Sequence, residues 1–264
     1  MSFVFHRVMN VFQRAILAVA AMFLLGAFGR DATAAAPPAP AAKPIQVLLV
    51  TGVDYPGHHW RETAPVLVTQ LQRDPRIEVR VVEDPHFLDS AALDRYQVIV
   101  LHFMNWKVPA PAAAAQLNLK KAVAGGKGLV LVHFACGAWQ DWPEFVNLAG
   151  RVWNPKFRSH DRRGPFKVEI ADHEHAITQG LQPFDTDDEL YTCLDGKPPI
   201  EVLATARSKV DGKDYPMAFV QSYGKGRVFH CVLGHDAKAL GFAGVGELYR
   251  RGTAWAAGFP PLAK

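Results

Sequence analysis

The chain has 264 residues, 49% of them hydrophobic, which is enough to bury a sizeable core in one large domain. Its 29 Lys and Arg against 25 Asp and Glu give a formal net charge of +4, well mixed and with no block of one sign, which argues against nucleic-acid binding by a basic face. Three cysteines, Cys136, Cys193 and Cys231, leave two readings open: one bridge with a free thiol left over, or three reduced side chains packed inside.

In chain order, residues 1–34 read as a secretory signal peptide. Arg7 and Arg14 are the only charged side chains before a small and apolar stretch from Ala15 to Phe28, and Ala32-Thr33-Ala34 supplies the small-residue cleavage site. That apolar stretch is short against the roughly 20 residues that span a bilayer, so the expectation is cleavage after Ala34, export to the periplasm or beyond, and no stable membrane insertion afterwards. Residues 35–44, rich in Ala and Pro, form an extended leader. Residues 45–264 then make one domain. Apolar strands are expected at Ile45–Thr51, Val98–Phe103 and Gly128–His133, a strand alternating apolar and charged residues, as near a sheet edge, at Ile77–Val82, and helices at Thr63–Leu71, Ala112–Ala124 and Trp142–Ala149. Continuous apolar runs interleaved with helices mean an α/β fold, a mostly parallel sheet covered on both faces. The pattern then changes to strands separated by turns, at Phe166–Ile170, Ile200–Ala206, Met217–Ser222 and Arg227–Leu233, with a hairpin at Ser222–Gly226 and a last helix from Val245 to Ala257.

The candidate chemistry lies in histidines at strand ends and motif-like turns. In an open α/β sheet, ligands bind beyond the carboxyl ends of the strands, and imidazole serves there as acid, base or metal ligand near neutral pH. His133 and His235 are the candidate catalytic pair. His58, His133, His160 and His235 are candidate ligands to a divalent metal such as zinc, a site assembled from distant segments because no H-x-x-x-H spacing occurs. His102 and His230 lie inside apolar strand patterns and read as core histidines. Trp60, Trp106 and Trp139 fall in or beside loops after strands, where indole faces stack on a sugar ring; the rival reading is a lid of tryptophans packed on itself. The acidic run Asp185–Glu189 reads as a solvated loop, from which Asp188 and Glu189 are the candidate carboxylates for a small carbohydrate ligand.

Several stretches together resemble the trehalose-utilisation (ThuA-like) family of the class I glutamine amidotransferase-like superfamily: Val50-Thr51-Gly52 with His58-His59-Trp60-Arg61-Glu62-Thr63, Gly126 to His133, the loop Asn154 to His160, Asp187 to Tyr191, Tyr223 to Phe229, and Leu233-Gly234-His235-Asp236. The resemblance runs from about Ile45 to Gly258. It implies a three-layer flavodoxin-like fold and a role in carbohydrate metabolism. True amidotransferases carry a nucleophilic cysteine on the turn that here reads Leu131-Val132-His133-Phe134-Ala135, so the resemblance puts His133 in the nucleophile's place and argues against thiolate chemistry. Two expectations follow. One is an exported enzyme acting on a sugar or keto-sugar derivative by histidine acid–base chemistry, with or without a metal, as an isomerase, lyase or hydrolase. The other is a carbohydrate-binding protein on the same fold without catalysis. Oligomeric state is left open.

Overall fold

Alternation along three short strands builds two cores, one on each face of a sheet. The computed structural model describes residues 43–261; the expected signal peptide, and the leader apart from Lys43 and Pro44, lie outside the described residues. In β1 (Ile45–Val50), β3 (Val98–Leu101) and β4 (Gly128–Val132) every apolar side chain from Val47 onward is fully buried. Val47, Leu49, Val98, Val100, Val130 and Val132 face one cluster, and Leu48, Val50, Ile99, Leu101, Leu129 and Leu131 face the other. The first cluster is closed by Trp60, Ala64, Leu67 and Leu71 of α1 (Trp60–Leu71) and by Val245, Leu248 and Tyr249 of α5 (Ala243–Ala256). The second is closed by Ala115, Leu119 and Val123 of α2 (Ala113–Ala124), at the four-residue spacing that lines up one helix face. Each such Val or Leu contributes about 1.5–3 kcal/mol by leaving water.

Among the described residues nine strands form one sheet, in the order β2-β1-β3-β4-β9-β8-β7-β5-β6. The remaining strands are β2 (Ile77–Val82), β5 (Gly164–Ile170), β6 (Phe184–Asp188), β7 (Glu201–Arg207), β8 (Asp214–Tyr223) and β9 (Gly226–Cys231). The run β2-β1-β3-β4-β9 is parallel, as expected of a flavodoxin-like core. From β9 to β6 every pairing is antiparallel, so the sheet is mixed, less parallel than the sequence pattern suggests. The reason is local: Gly224-Lys225 joins β8 to β9, and a two-residue link connects only antiparallel neighbours. The acidic run expected as a loop is instead β6, the edge strand. Thr186 and Asp188 are buried while Asp185 is exposed, a charged alternation that suits an edge and hides the strand from any reading based on apolar runs.

Two short helices complete the fold, α3 (Phe145–Ala149) and α4 (Ala237–Gly241), and no helix among the described residues is long and apolar enough to cross a membrane. Gly252 shows how tightly α5 lies on the sheet. A Cβ there would stand 2.2 Å from Cδ1 of Phe229, so the close approach requires glycine despite its cost of about 1 kcal/mol inside a helix. All three cysteines are free thiols, with Cys136 and Cys231 buried.

His102 and His230 are fully buried. His230 Nδ1 donates to the carbonyl of Ala149 at 2.9 Å, and His102 Nδ1 lies 3.2 Å from the Thr51 hydroxyl. Burial lowers His102 to about 3 and His230 to about 4. Both rings are thus neutral in the folded protein and bind protons when it unfolds. Their stabilising effect is complete above the unfolded value near 6.5 and is lost as pH falls from there toward the folded values. Lowering pH from 7 to 5 is expected to remove roughly 1–2 kcal/mol per ring. Urea unfolding at both pH values checks this: His230→Asn, which keeps a donor for Ala149, should show a shallower pH dependence than the wild type, and identical slopes would refute the assignment.

Candidate functional site

Parallel strands deliver their carboxyl ends to one edge of the sheet, and four side chains converge there. His58 comes from the loop after β1, His133 directly follows β4, His235 lies in the loop after β9, and Glu189 directly follows β6. One ligand atom from each lies within 4.8 Å of the other three. The ring centroids are 5.1 Å apart for His58–His133, 4.8 Å for His58–His235 and 5.6 Å for His133–His235. His58, His235 and Glu189 open onto a pocket of about 230 Å³, whose wall also includes Tyr55, Trp106 and His160. His133, fully buried, belongs to the cluster but not to that wall.

Each ring is oriented by its surroundings. His133 Nδ1 is 2.7 Å from the carbonyl of Val232; a carbonyl only accepts, so Nδ1 carries a proton and Nε2 faces the cluster. That Nε2 is buried without a hydrogen-bond partner and stands 3.5 Å from Glu189 Oε2. His58 stacks on Phe134 with centroids 4.5 Å apart, and its Nδ1 lies 3.5 Å from the carbonyl of His235. His235 Nδ1 is 3.1 Å from Glu189 Oε2 but outside hydrogen-bond alignment. Burial first, and then the neighbouring His133 and His235, lowers His58 to about 3, so its lone pair is available at neutral pH. Burial alone would raise Glu189, yet His133 and His235 beside it hold its carboxyl far below the usual range. For His235, burial opposes the charge of Glu189, and Glu189 prevails, lifting the imidazole above its ordinary value.

Backbone conformation sets the geometry. His133 has φ 43°, in the left-handed region, and opens a 3-10 turn over His133–Gly137; such a conformation in a non-glycine residue costs about 1–2 kcal/mol and persists only where the surroundings impose it. Asp188 supplies the second constraint. Its fully buried carboxylate accepts the backbone N–H groups of Gly234 at 2.6 Å, His235 at 3.1 Å and Glu189 at 2.8 Å. One side chain therefore locks the loop after β9 to the end of β6.

The other residues singled out from the sequence lie as follows. Asp188 faces backbone, so it is placed to hold the site rather than to touch a ligand. Trp60 is 5% exposed within the first core cluster. Trp139 is 2% exposed, edge-on to Phe103 and Phe145 in the second; neither reaches the histidine pocket. Trp106 does line it, donating from Nε1 to the carbonyl of Gly137 at 2.5 Å. His160 lines it too, but its Nδ1 donates to the carbonyl of Asp161 at 2.9 Å and lies 3.7 Å from Glu189 Oε1. Glu189 thus stands in the four-donor cluster where the sequence reading puts His160. The signal for Glu189 was its position at the end of an acidic run, immediately before Leu190 and Tyr191; Tyr55 and Phe134 carried no signal. Cys136 is buried, and burial pushes its thiol up to about 12, leaving no thiolate near neutral pH.

Replacing His133 separates strain from chemistry. His133→Gly and His133→Ala both remove the imidazole, but only glycine occupies φ near 43° without penalty. We expect His133→Gly to be about 1 kcal/mol more stable than His133→Ala in urea unfolding; the reverse order would mean that residue 133 leaves the left-handed region once its side chain is removed.

The family model ThuA, described as "Trehalose utilisation", matches residues 46–256. No curated protein matches the sequence. A ThuA-like protein from Parabacteroides merdae is 26% identical, with 84% of this chain and 93% of that one covered and a TM-score of 0.74. A ThuA-like protein from Bacteroides uniformis is 21% identical over 86% of this chain and 99% of that one, with a TM-score of 0.66. A β-galactosidase from Bacillus circulans shares the fold alone, at 13% identity and a TM-score of 0.53, with 84% of this chain and 32% of that one covered. Matched by the model along nearly all of its described length, the chain belongs to the ThuA, or trehalose-utilisation, family.

Proposed function

We propose that the protein is an exported enzyme of carbohydrate metabolism that acts on a sugar or keto-sugar derivative at a divalent-metal centre built from His58, His133, His235 and Glu189. The observation that carries this reading is the buried Nε2 of His133, a nitrogen without a hydrogen-bond partner in a cluster whose other three donor atoms also converge within 4.8 Å. A buried nitrogen left without a partner is unfavourable, and a divalent cation at the point where the four donors converge would supply one. Three imidazoles and one carboxylate form a donor set suited to zinc and related ions. The Nδ1–H of His133, donated to Val232, is the outer-shell bond that fixes a ligating ring.

His58, His133, His235 and Glu189 would hold the divalent ion, which would supply Lewis-acid polarisation of a ligand oxygen when bound. The chain supplies the rest. Trp106 and Tyr55 line the pocket with aromatic surface, packed edge to face at 5.5 Å, against which the C–H face of a sugar ring lies. His160, on the same wall, has Nδ1 committed to Asp161 and Nε2 left to take or return a proton. The family description, trehalose utilisation, supports a sugar as the ligand class.

Metal analysis of the purified protein tests the centre. We expect one divalent ion per chain and a loss of affinity of 100-fold or more in His133→Ala and Glu189→Gln. His160→Ala should keep the ion and lose turnover. A protein that binds zinc no more tightly than the His133→Ala variant would refute the centre. Export has its own check: mass spectrometry of the protein recovered from the periplasm should find an N-terminus at Ala35, and a chain still starting at Met1 would rule cleavage out.

A further inference from the structure

Tyr191, on the wall of the histidine pocket, also borders a separate cavity of about 120 Å³, together with Arg151, Cys193, Leu194, Tyr215 and Phe219. Arg151 is the only charged side chain on that second wall. We infer that this cavity binds a small tetrahedral oxyanion, phosphate or sulfate, on the guanidinium of Arg151. A water's share of liquid volume is about 30 Å³, so the space takes roughly four water-sized oxygens, the number that such an ion carries. The inference stands apart from the metal centre and from the choice of a sugar as its ligand.

Arg151 is a half-buried cation without a counter-ion. Its Nη1 donates to the carbonyls of Gly150 at 2.7 Å and Pro198 at 2.9 Å, and Nε and Nη2 make no hydrogen bond among the described residues. Two neutral carbonyls thus fix the guanidinium in place without neutralising it. Burial pulls its pKa below the ordinary value, and Asp195 acts in the opposite direction. Asp195 forms no salt bridge with Arg151, however, and its Oδ2 accepts from Asn154 Nδ2 at 2.8 Å. A charge drawn out of water is ordinarily paired, and the planar fork of a guanidinium matches the oxygens of a phosphate or sulfate.

The rest of the wall favours an anion as well. The carboxylate next to it, Asp211, is already engaged: its Oδ2 accepts from the Tyr215 hydroxyl at 2.7 Å and meets Arg158 Nη2 at 3.1 Å. The Tyr215 hydroxyl also lies 3.4 Å from Cys193 Sγ. Cys193 has φ 54°, in the left-handed region, which is half of the backbone arrangement that turns successive N–H groups toward an anion. The N–H groups of Cys193 and Leu194 find no acceptor among the described residues. Leu194 and Phe219 add apolar surface, which lowers the local dielectric and strengthens the attraction between a guanidinium and an anion.

The test is calorimetric titration of the purified full chain with inorganic phosphate and sulfate, run beside alkylation of Cys193. Cys136 and Cys231 are buried, so Cys193 is the thiol expected to react in the folded protein. Phosphate at about ten times its dissociation constant should slow that reaction roughly tenfold, and sodium chloride at equal ionic strength should not. Arg151→Gln should abolish both the heat of binding and the protection, and Arg151→Lys should keep a weaker form of each. Because Arg151 also holds Gly150 and Pro198, alkylation of Cys136 and Cys231 would reveal a variant that has not folded; the comparison with chloride on the wild type then decides alone. Phenyl phosphate that protects as well as inorganic phosphate would keep the site and place the oxyanion on a larger molecule. No binding by the wild type, protection matched by chloride, or phosphate binding that survives Arg151→Gln in a folded protein would overturn the site. The last outcome would mean an adventitious ion only, or phosphate held at the histidine centre.

Discussion

The carboxylate of Asp188, buried and bonded to three backbone N–H groups, is the constraint on which the site depends. β6 is the outermost strand of the antiparallel half and β9 the last of the parallel half, so no ladder joins them. Asp188 makes that connection by side chain. Burial pushes its carboxyl upward, against the N–H groups and His133, which favour the charged form. A buried acceptor with three donors is well satisfied; with its donors removed it would carry a desolvation penalty of several kcal/mol. The loop bearing His235 and the residue Glu189 are thereby held together before any ligand arrives.

The turn after β4 shows the same preorganisation through backbone rather than side chain. Val132 is in ordinary extended conformation, and His133, the next residue, is left-handed. The bond from Nδ1 to Val232, the residue after β9, ties the strained residue to the neighbouring strand. Strain of this kind is a charge against stability that the flanking strands cover; with β4 buried at every position, they have the packing energy to do so. The ring can then be aimed without the entropy of a free side chain.

The fold and the chemistry call for different arguments. A β-galactosidase with the same fold at 13% identity says nothing about glycosidic chemistry here, since one fold hosts many activities. The amidotransferase comparison is informative in the opposite sense. The resemblance implies an imidazole in the place of that superfamily's thiol, and the nearby Cys136 is buried, which raises its thiol's pKa to about 12. What distinguishes this site is its donor set, three imidazoles and a carboxylate, with one imidazole nitrogen buried and unpartnered.

The parallel half of the sheet was legible from the chain itself, because strands buried on both faces must be continuously apolar and Val47–Val50, Val98–Leu101 and Gly128–Val132 are. The same reading placed His58, His133 and His235 at strand ends, since a strand that stops being apolar has reached the edge of the sheet. It also separated His230, in mid-strand, from the site histidines. β6 was not legible: Phe184–Asp188 is a charged edge strand, and hydropathy registers burial rather than pairing. Nor could sequence choose between His160 and Glu189 as the fourth donor, or tell that Trp60 turns into a core while Trp106 turns to the histidine pocket. Those outcomes depend on which way a loop folds back after its strand. Only the tertiary structure decides that, through contacts such as Asp188 with Gly234 that join residues 46 positions apart.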